Sequence, residues 1–309
     1  MKDHSILWMG LFSMHSFKSG FISILGKPNV GKSTLLNRIL GEKIAIVSEK
    51  PQTTRTKILG IKNLDSGQLI FLDTPGIHQP RSKLHDAMVR SAFQAGRDAD
   101  LVLLLTEAHQ PCLETDKSIL KDLAPHDIPV FLVINKIDLV TKTDILPLIE
   151  TYHVLYPFRE IIPLSAIRGD GVSQLMATIP AYLPDGPQYF PPDMTTDQSE
   201  RFLAAEIVRE QIFHHTYQEI PYAIGVGIET FKDDPDKGLL SVSATILVEK
   251  QSQKAILIGK KGQMLKRIGT HARQEMERFF ETKVFLQLWV KVTRDWSDDP
   301  RLVKEMGYG

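Results

Sequence analysis

Between residues 18 and 183, short and nearly unbroken apolar runs alternate with stretches of helical spacing. Residues 20–25, 68–73, 101–105, 130–134 and 160–164 are predicted strands. Runs without polar alternation mark strands buried on both faces, as in a mostly parallel sheet between helices. The helical patterns between them, residues 34–40 first, supply the crossovers. From Tyr182 to Gln198 the pattern breaks, with Pro184, Gly186, Pro187, Pro191 and Pro192 punctuating a polar linker. Ser199 then stands where it caps a helix carrying Phe202, Ala205, Ile207, Val208, Ile212 and Phe213. Residues 223–231 and 240–248 alternate like strands around a turn at 233–238, which makes a hairpin. A helix over 254–258, a break at 259–262, a long amphipathic helix and a strand over 284–292 follow. Leu265, Ile268, Ala272, Met276 and Phe279 carry the helical spacing. The predicted division is a tail of 1–16, a first α/β domain of 17–183, a linker of 184–198 and a smaller α+β domain of 199–309.

The length of 309 residues agrees with about two domains. An apolar share of 42% excludes a disordered or fibrous chain. Lys and Arg number 37, as do Asp and Glu, so a globally basic nucleic-acid binder is excluded and a locally basic one is not. The single cysteine, Cys112, excludes an intramolecular disulfide framework and a multi-cysteine zinc site, and points to a reducing compartment. No run reaches the ~18 apolar residues of a membrane span. The apolar piece at 6–12 lacks a basic flank and a cleavage motif. It reads as a frayed tail or an over-extended start, with Met9 and Met14 following, rather than a signal peptide.

Gly26, Lys27, Pro28, Asn29, Val30, Gly31, Lys32 and Ser33 spell G-x-x-x-x-G-K-S between a predicted strand and a helix entered at Thr34. This is a phosphate-binding loop: backbone N–H groups curl around phosphate, Lys32 supplies charge, and Ser33 offers a hydroxyl to Mg²⁺. Asp73, Thr74, Pro75 and Gly76 end the next buried strand, where the acid orients a metal and Gly76 approaches the outer phosphate. Asn135, Lys136, Ile137 and Asp138 end another. A carboxylate at Asp138 accepts the ring N–H and the amine of guanine together, which adenine does not offer. Ser165, Ala166 and Ile167 end a further strand, where a backbone N–H meets the guanine carbonyl.

Phosphate, metal and base motifs at successive strand ends resemble the translation-factor-like class of P-loop GTPases, over residues 18–183. The resemblance implies that Thr54, with Thr53 the lesser candidate, joins Ser33 on Mg²⁺, with Asp73 acting indirectly. It places the switch loops around 42–60 and 74–90 and gives catalysis to Lys32, Thr54, Gly76 and Asn29. One departure matters: Ras-like enzymes carry a water-orienting glutamine where this chain has Ile77. Slow intrinsic hydrolysis is expected. Asn29 resembles the asparagine of GTPases that recruit K⁺ beside the phosphates. His78 reads as an ordinary loop residue near the site.

Ile258, Gly259, Lys260, Lys261 and Gly262 form a G-x-x-G loop between two predicted helices, with Lys266 and Arg267 on the second. From 250 to 294 there are 11 Lys and Arg against 3 Asp and Glu, so +8 is concentrated there in a neutral chain. Such a loop clamps a nucleic-acid backbone. Leu257, Ile258 and the last strand are expected to wall a groove for unpaired bases, with Trp289 in the core. His214 and His215 read as helix residues with no metal partner.

The order α-β-β-α-α-β resembles a type II KH domain. Joined to the GTPase motifs and Pro51-Gln52-Thr53-Thr54-Arg55, the chain resembles the Era family from about Phe17 to Tyr308. That resemblance implies a bacterial GTPase using GTP/GDP and Mg²⁺ that binds 16S ribosomal RNA near its 3′ end. It also implies help in small (30S) subunit assembly, a cytoplasmic monomer, and peripheral contact with the inner membrane. Three other classes stay open. A GTP-sensing RNA-binding scaffold with incidental hydrolysis is favoured by Ile77. An RNA-modifying GTPase would need a cofactor fold or a catalytic cysteine, and Cys112 has no evident partner. A P-loop kinase of small metabolites is opposed by Asn135 to Asp138.

Overall fold

The computed structural model describes residues 16–48, 50, 53–77, 83–217 and 220–306. The first unit runs β1 (Lys18–Leu25), α1 (Lys32–Leu40), β2 (Ile58–Leu64), β3 (Gly67–Asp73), α2 (Lys83–Arg97), β4 (Leu101–Glu107), α3 (Leu113–Leu123), β5 (Val130–Asn135), α4 (Lys142–Leu155), β6 (Glu160–Pro163) and α5 (Val172–Thr178). Its sheet has the order β2-β3-β1-β4-β5-β6. The pairs β1/β3, β1/β4, β4/β5 and β5/β6 are parallel, and β2/β3 is antiparallel. Alternation across the pleat splits the core into two layers. Ile22, Ile24, Leu103, Phe131 and Val133 pack with Leu35, Leu36 of α1 and Leu175 of α5. Leu25, Val102, Leu104, Leu132 and Ile134 pack with Ala92, Ile119, Leu120 and Tyr152 from α2, α3 and α4.

The strand β2 falls where the sequence predicted the end of a switch loop. Its polar Lys62 and Asn63 interrupt the apolar run, because an edge strand needs only partial burial. The proline-rich stretch after α5 is pinned to this edge. Gln68 accepts the N–H groups of Tyr189 and Phe190 at 2.8 and 2.9 Å, and Thr196 donates to Leu59 O at 2.7 Å. Phe190 and Met194 cover Leu59, Ile61, Ile70 and Leu72. The aromatic residues among the prolines make this stretch a strap across the sheet.

The second unit runs α6 (Glu200–His215), β7 (Gly225–Asp234), β8 (Leu239–Val248), α7 (Gln251–Ile258), α8 (Gln263–Phe279), β9 (Lys283–Val292) and α9 (Pro300–Glu305). The Ser199 hydroxyl caps α6 by accepting the Phe202 N–H at 3.2 Å. Its sheet is β7-β8-β9, with β7/β8 antiparallel and β8/β9 parallel. Val208 and Ile212 of α6, Ile268, Ala272 and Met276 of α8, and Val242, Ala244 and Ile246 of β8 form its core.

Two apolar assignments are corrected here. Trp289 is 62% exposed rather than in the core. Period-two alternation commits Leu286, Leu288 and Val290 to the core, which sends Phe285 and Trp289 to the open face. Leu257, expected on the groove, is fully buried in the core, while its neighbour Ile256 is exposed. The unpredicted α9 places Val303 with Trp296, Leu247 and Met88 of α2, so the second unit packs directly on the first.

Candidate functional site

The ends of β1, β3, β5 and β6 open on the same edge of the first sheet, where ligands of open α/β folds bind. They bring the predicted motifs into one cleft of about 700 Å³. The loop after β1 turns through Asn29 and Gly31, with φ of 66° and 99°. A Cβ on Gly31 would lie 2.2 Å from Asn135 Nδ2, so glycine is required for this approach. Asn135 ties the cleft together: its Nδ2 donates to Val30 O at 2.7 Å and its Oδ1 accepts from Ala166 N at 3.0 Å.

Lys32 is 6% exposed, and its Nζ donates to Gly26 O and Lys27 O at 3.2 and 3.0 Å. Burial pushes its ammonium down to about 8, against the pull of Asp73. Asp73 is fully buried and is pushed up to about 6 by burial, with Lys32, Ser33 and Thr54 opposing. Ser33 Oγ donates to Asp73 Oδ2 at 2.6 Å and lies 2.8 Å from Thr54 Oγ1. Asp73 Oδ1 is buried without a hydrogen-bond partner among the described residues. Three hard oxygens with one orphaned acceptor suit Mg²⁺. The two threonines part here: Thr53 donates to Lys50 O at 2.6 Å, while Thr54 joins the oxygen cluster.

Thr74 braces the next loop by donating to Ile24 O at 2.7 Å. Gly76 rests against the phosphate loop so closely that a Cβ would sit 2.6 Å from Pro28 Cα and N. Ile77 is buried in the layer with Leu25 and Ala92, and its N–H donates to Gly26 O at 3.1 Å. His78 lies outside the described residues, as do Glu49, Pro51, Gln52, Tyr308 and the tail through residue 15.

At the other end of the cleft, Lys136 adopts φ 63°, and its Nζ pairs with Glu107 at 3.0 Å. Asp138 lines the cleft, and its half-buried carboxylate makes no bond to any described residue. The Ser165 N–H is taken by Asp170 O at 2.9 Å, and Ile167 forms an exposed rim. Sequence reasoning missed Glu107, the brace for Lys136, and His214, which reaches the cleft from α6 of the second unit. No local signal marks a residue brought in from so far along the chain. His215 has a partner too: its Nε2 lies 2.6 Å from His271 Nδ1.

The segment between α1 and β2 is held by the second unit. Glu210 of α6, with a side chain 2% exposed, receives Lys43 Nζ at 2.6 Å and Val47 N at 3.0 Å. Lys50 Nζ donates to Phe213 O and Thr216 O at the C-terminus of α6. Arg55 donates to Pro221 O at 2.9 Å and to Ile224 O.

In the second unit, α7 ends at Gly259 with φ 71° and ψ 178°, and Gly262 opens α8 with φ 76°. The side chains of Lys260, Lys261, Lys266 and Arg267 are on the accessible surface, and Ile258 is half-buried beside them. The N-terminus of α8 and the four exposed cations at or just beyond it favour phosphate.

A family model described as 50S ribosome-binding GTPase matches residues 21–136, and one described as KH domain matches residues 219–297. GTPase Era of Geobacter metallireducens is 56% identical over 296 residues, spanning 96% of this chain and 99% of its own length. GTPase Era of Syntrophus aciditrophicus is 55% identical over 292 residues, spanning 94% and 95%. The crystal structure of a point variant of Aquifex aeolicus Era bound to GDP·AlF4⁻ superimposes with a TM-score of 0.91 at 44% identity, covering 94% of this chain and 99% of that one. A crystal structure of Era in complex with MgGDPNP and nucleotides 1506–1542 of 16S ribosomal RNA gives 0.92 at 44% identity, covering 95% and 99%. A P-loop GTPase unit followed by a KH unit, matched along nearly the whole chain, shows that this protein belongs to the Era family of GTPases.

Proposed function

We propose that this GTPase binds GTP and GDP with Mg²⁺ in the cleft, binds 16S ribosomal RNA near its 3′ end through the KH unit, and assists small (30S) subunit assembly. The domain division at residues 183 and 199 is part of this reading. Lys32 and the N–H groups of 26–34 hold the phosphates. Ser33 and Thr54 ligate the metal, and Asp73 orients it. Asp138 reads guanine, and a backbone N–H of the loop at 165–167 meets its carbonyl. Gly259 to Gly262, with Ile258, Lys266 and Arg267, grips the RNA backbone. A relative at 44% identity has been crystallised with both MgGDPNP and a fragment of 16S ribosomal RNA, which supports this pairing.

The observation that carries the coupling is the grip of α6 on the segment containing Thr54. Glu210, Phe213 and Thr216 hold Lys43, Val47 and Lys50, so ordering Thr54 on the metal and docking the second unit favour each other. A ligand shifts such an equilibrium only through its differential affinity for the two states. Hydrolysis is slow, because buried Ile77 cannot orient water, and K⁺ beside Asn29 supplies part of the missing charge. Equal rates in KCl and NaCl would remove K⁺ from this account. No helix among the described residues is long and apolar enough to cross a membrane, and peripheral inner-membrane contact of this cytoplasmic protein would be made through its surface.

Crosslinking to total cellular RNA with a non-hydrolysable GTP analogue and with GDP tests the function. Enrichment of the 16S 3′ end, greater with the analogue, is expected. The burial of Ile77 favours a second reading, a GTP-sensing scaffold with incidental hydrolysis. Normal RNA release by a hydrolysis-blocked variant would select it.

A further inference from the structure

The far end of the KH unit carries an aromatic groove that neither nucleotide nor RNA recognition uses. It is a cleft of about 420 Å³ walled by Phe231, Phe279, Phe280 and Leu240. Phe280 packs edge-on against Phe231 at 5.7 Å and against Phe279 at 5.0 Å. Glu200, Asp233 and Glu281 line the same cleft. All three are exposed, and none forms an ion pair with any described residue. The lysines next to them in sequence do not neutralise them. Strand alternation puts Lys232 and Lys283 on the opposite face of the sheet from Phe231, Asp233 and Leu240. Lys237 is already paired with Asp234 at 2.8 Å. The last carbonyls of α8 point toward this end and add negative potential.

Charge complementarity identifies the occupant. The RNA-gripping loop stands at the other end of α8, 17 residues or about 25 Å away. Phosphate is repelled by three unpaired carboxylates, whereas a guanidinium stacks on an aromatic face and forks onto a carboxylate. We propose that this groove docks an arginine side chain of a basic polypeptide partner, while the opposite end of the same unit holds RNA. Glu281 sits at φ 52°, a conformation that glycine or asparagine adopts more readily after a helix end. A glutamate kept there at a conformational cost holds its carboxylate over the groove.

The test titrates the full-length, isotope-labelled protein with an oligo-arginine peptide of about six residues and follows backbone amide shifts at about 150 mM salt. Saturable shifts are expected at Asp233, Gly238, Phe280 and Thr282. The double change Asp233→Asn, Glu281→Gln should weaken binding by about ten-fold. Glu281→Gly should raise the thermal midpoint and still weaken binding, which a purely structural role would not produce. Shifts spread over the whole acidic surface, or equal binding by the double variant, would overturn the proposal. So would an RNA oligonucleotide that moves these amides ahead of those at Gly259 to Gly262.

Discussion

Glu210 of the KH unit accepts the backbone N–H of Val47 at 3.0 Å, a bond that joins the first helix of one unit to the nucleotide-proximal loop of the other. The carboxylate is nearly inaccessible, and Lys43 closes on its second oxygen at 2.6 Å. Glu210→Ala leaves both partners without it at a cost of about 1–3 kcal/mol. The expected outcome is a lower melting temperature together with RNA affinity that no longer distinguishes a GTP analogue from GDP. Retained discrimination would place the coupling elsewhere.

Nucleotide affinity should be bell-shaped in pH. Asp73 is held at about 6, above its ordinary 3.8, so below that pH a proton occupies the carboxyl that the metal needs ionised. Mg²⁺-supported affinity should fall by about ten-fold per pH unit on that limb. Lys32 is held at about 8, so above that pH its charge on the phosphates is lost in the free protein. Asp73→Asn should flatten the acid limb and lower affinity at pH 7. A flat titration of the unaltered protein between pH 5 and 7 would contradict the assignment.

Asp138→Asn should exchange guanine preference for xanthine, because the amide donates where the carboxylate accepted. Loss of GTP affinity of about 100-fold or more is expected, with recovery on XTP. Direct competition between GTP, XTP and ATP measures it.

Gly76→Ala puts a Cβ 2.6 Å from backbone atoms of Pro28, which have nowhere to move. Overpacking of this kind costs about 1–3 kcal/mol. Single-turnover hydrolysis should drop sharply while GDP, which makes no contact at the outer phosphate position, binds nearly as before.

Gly259→Asp combines a strained left-handed φ of 71°, a Cβ 2.7 Å from Met264 Cβ and a like charge against phosphate. RNA binding should weaken by about ten-fold or more, with nucleotide affinity unchanged. Filter binding with a single-stranded RNA and a parallel GDP titration separate the two.

The strands of the first sheet were legible because burial on both faces leaves apolar runs such as Leu101 to Leu105 that no polar residue interrupts. The motifs were legible because each needs contiguous residues at one strand end: a loop of N–H groups around phosphate cannot be assembled from scattered positions. Edge strand β2 was not legible, since its Lys62 and Asn63 answer to solvent as much as to the core. Trp289 misled because hydrophobicity alone does not say which face of a strand is covered. Its neighbours Leu288 and Val290 decide that, through packing with α8 and the sheet.

Local chemistry and periodicity therefore determined the two units, their order and the residues proposed to meet phosphate, metal, guanine and RNA. Tertiary structure alone decided that Gln68 pins the proline-rich strap and that Glu210 holds the loop around Val47, and it puts Thr54, the first candidate of the two threonines, beside Ser33 and Asp73. The first two relations pair residues more than a hundred positions apart. They depend on distances of a few ångströms that only the closed packing of both units fixes.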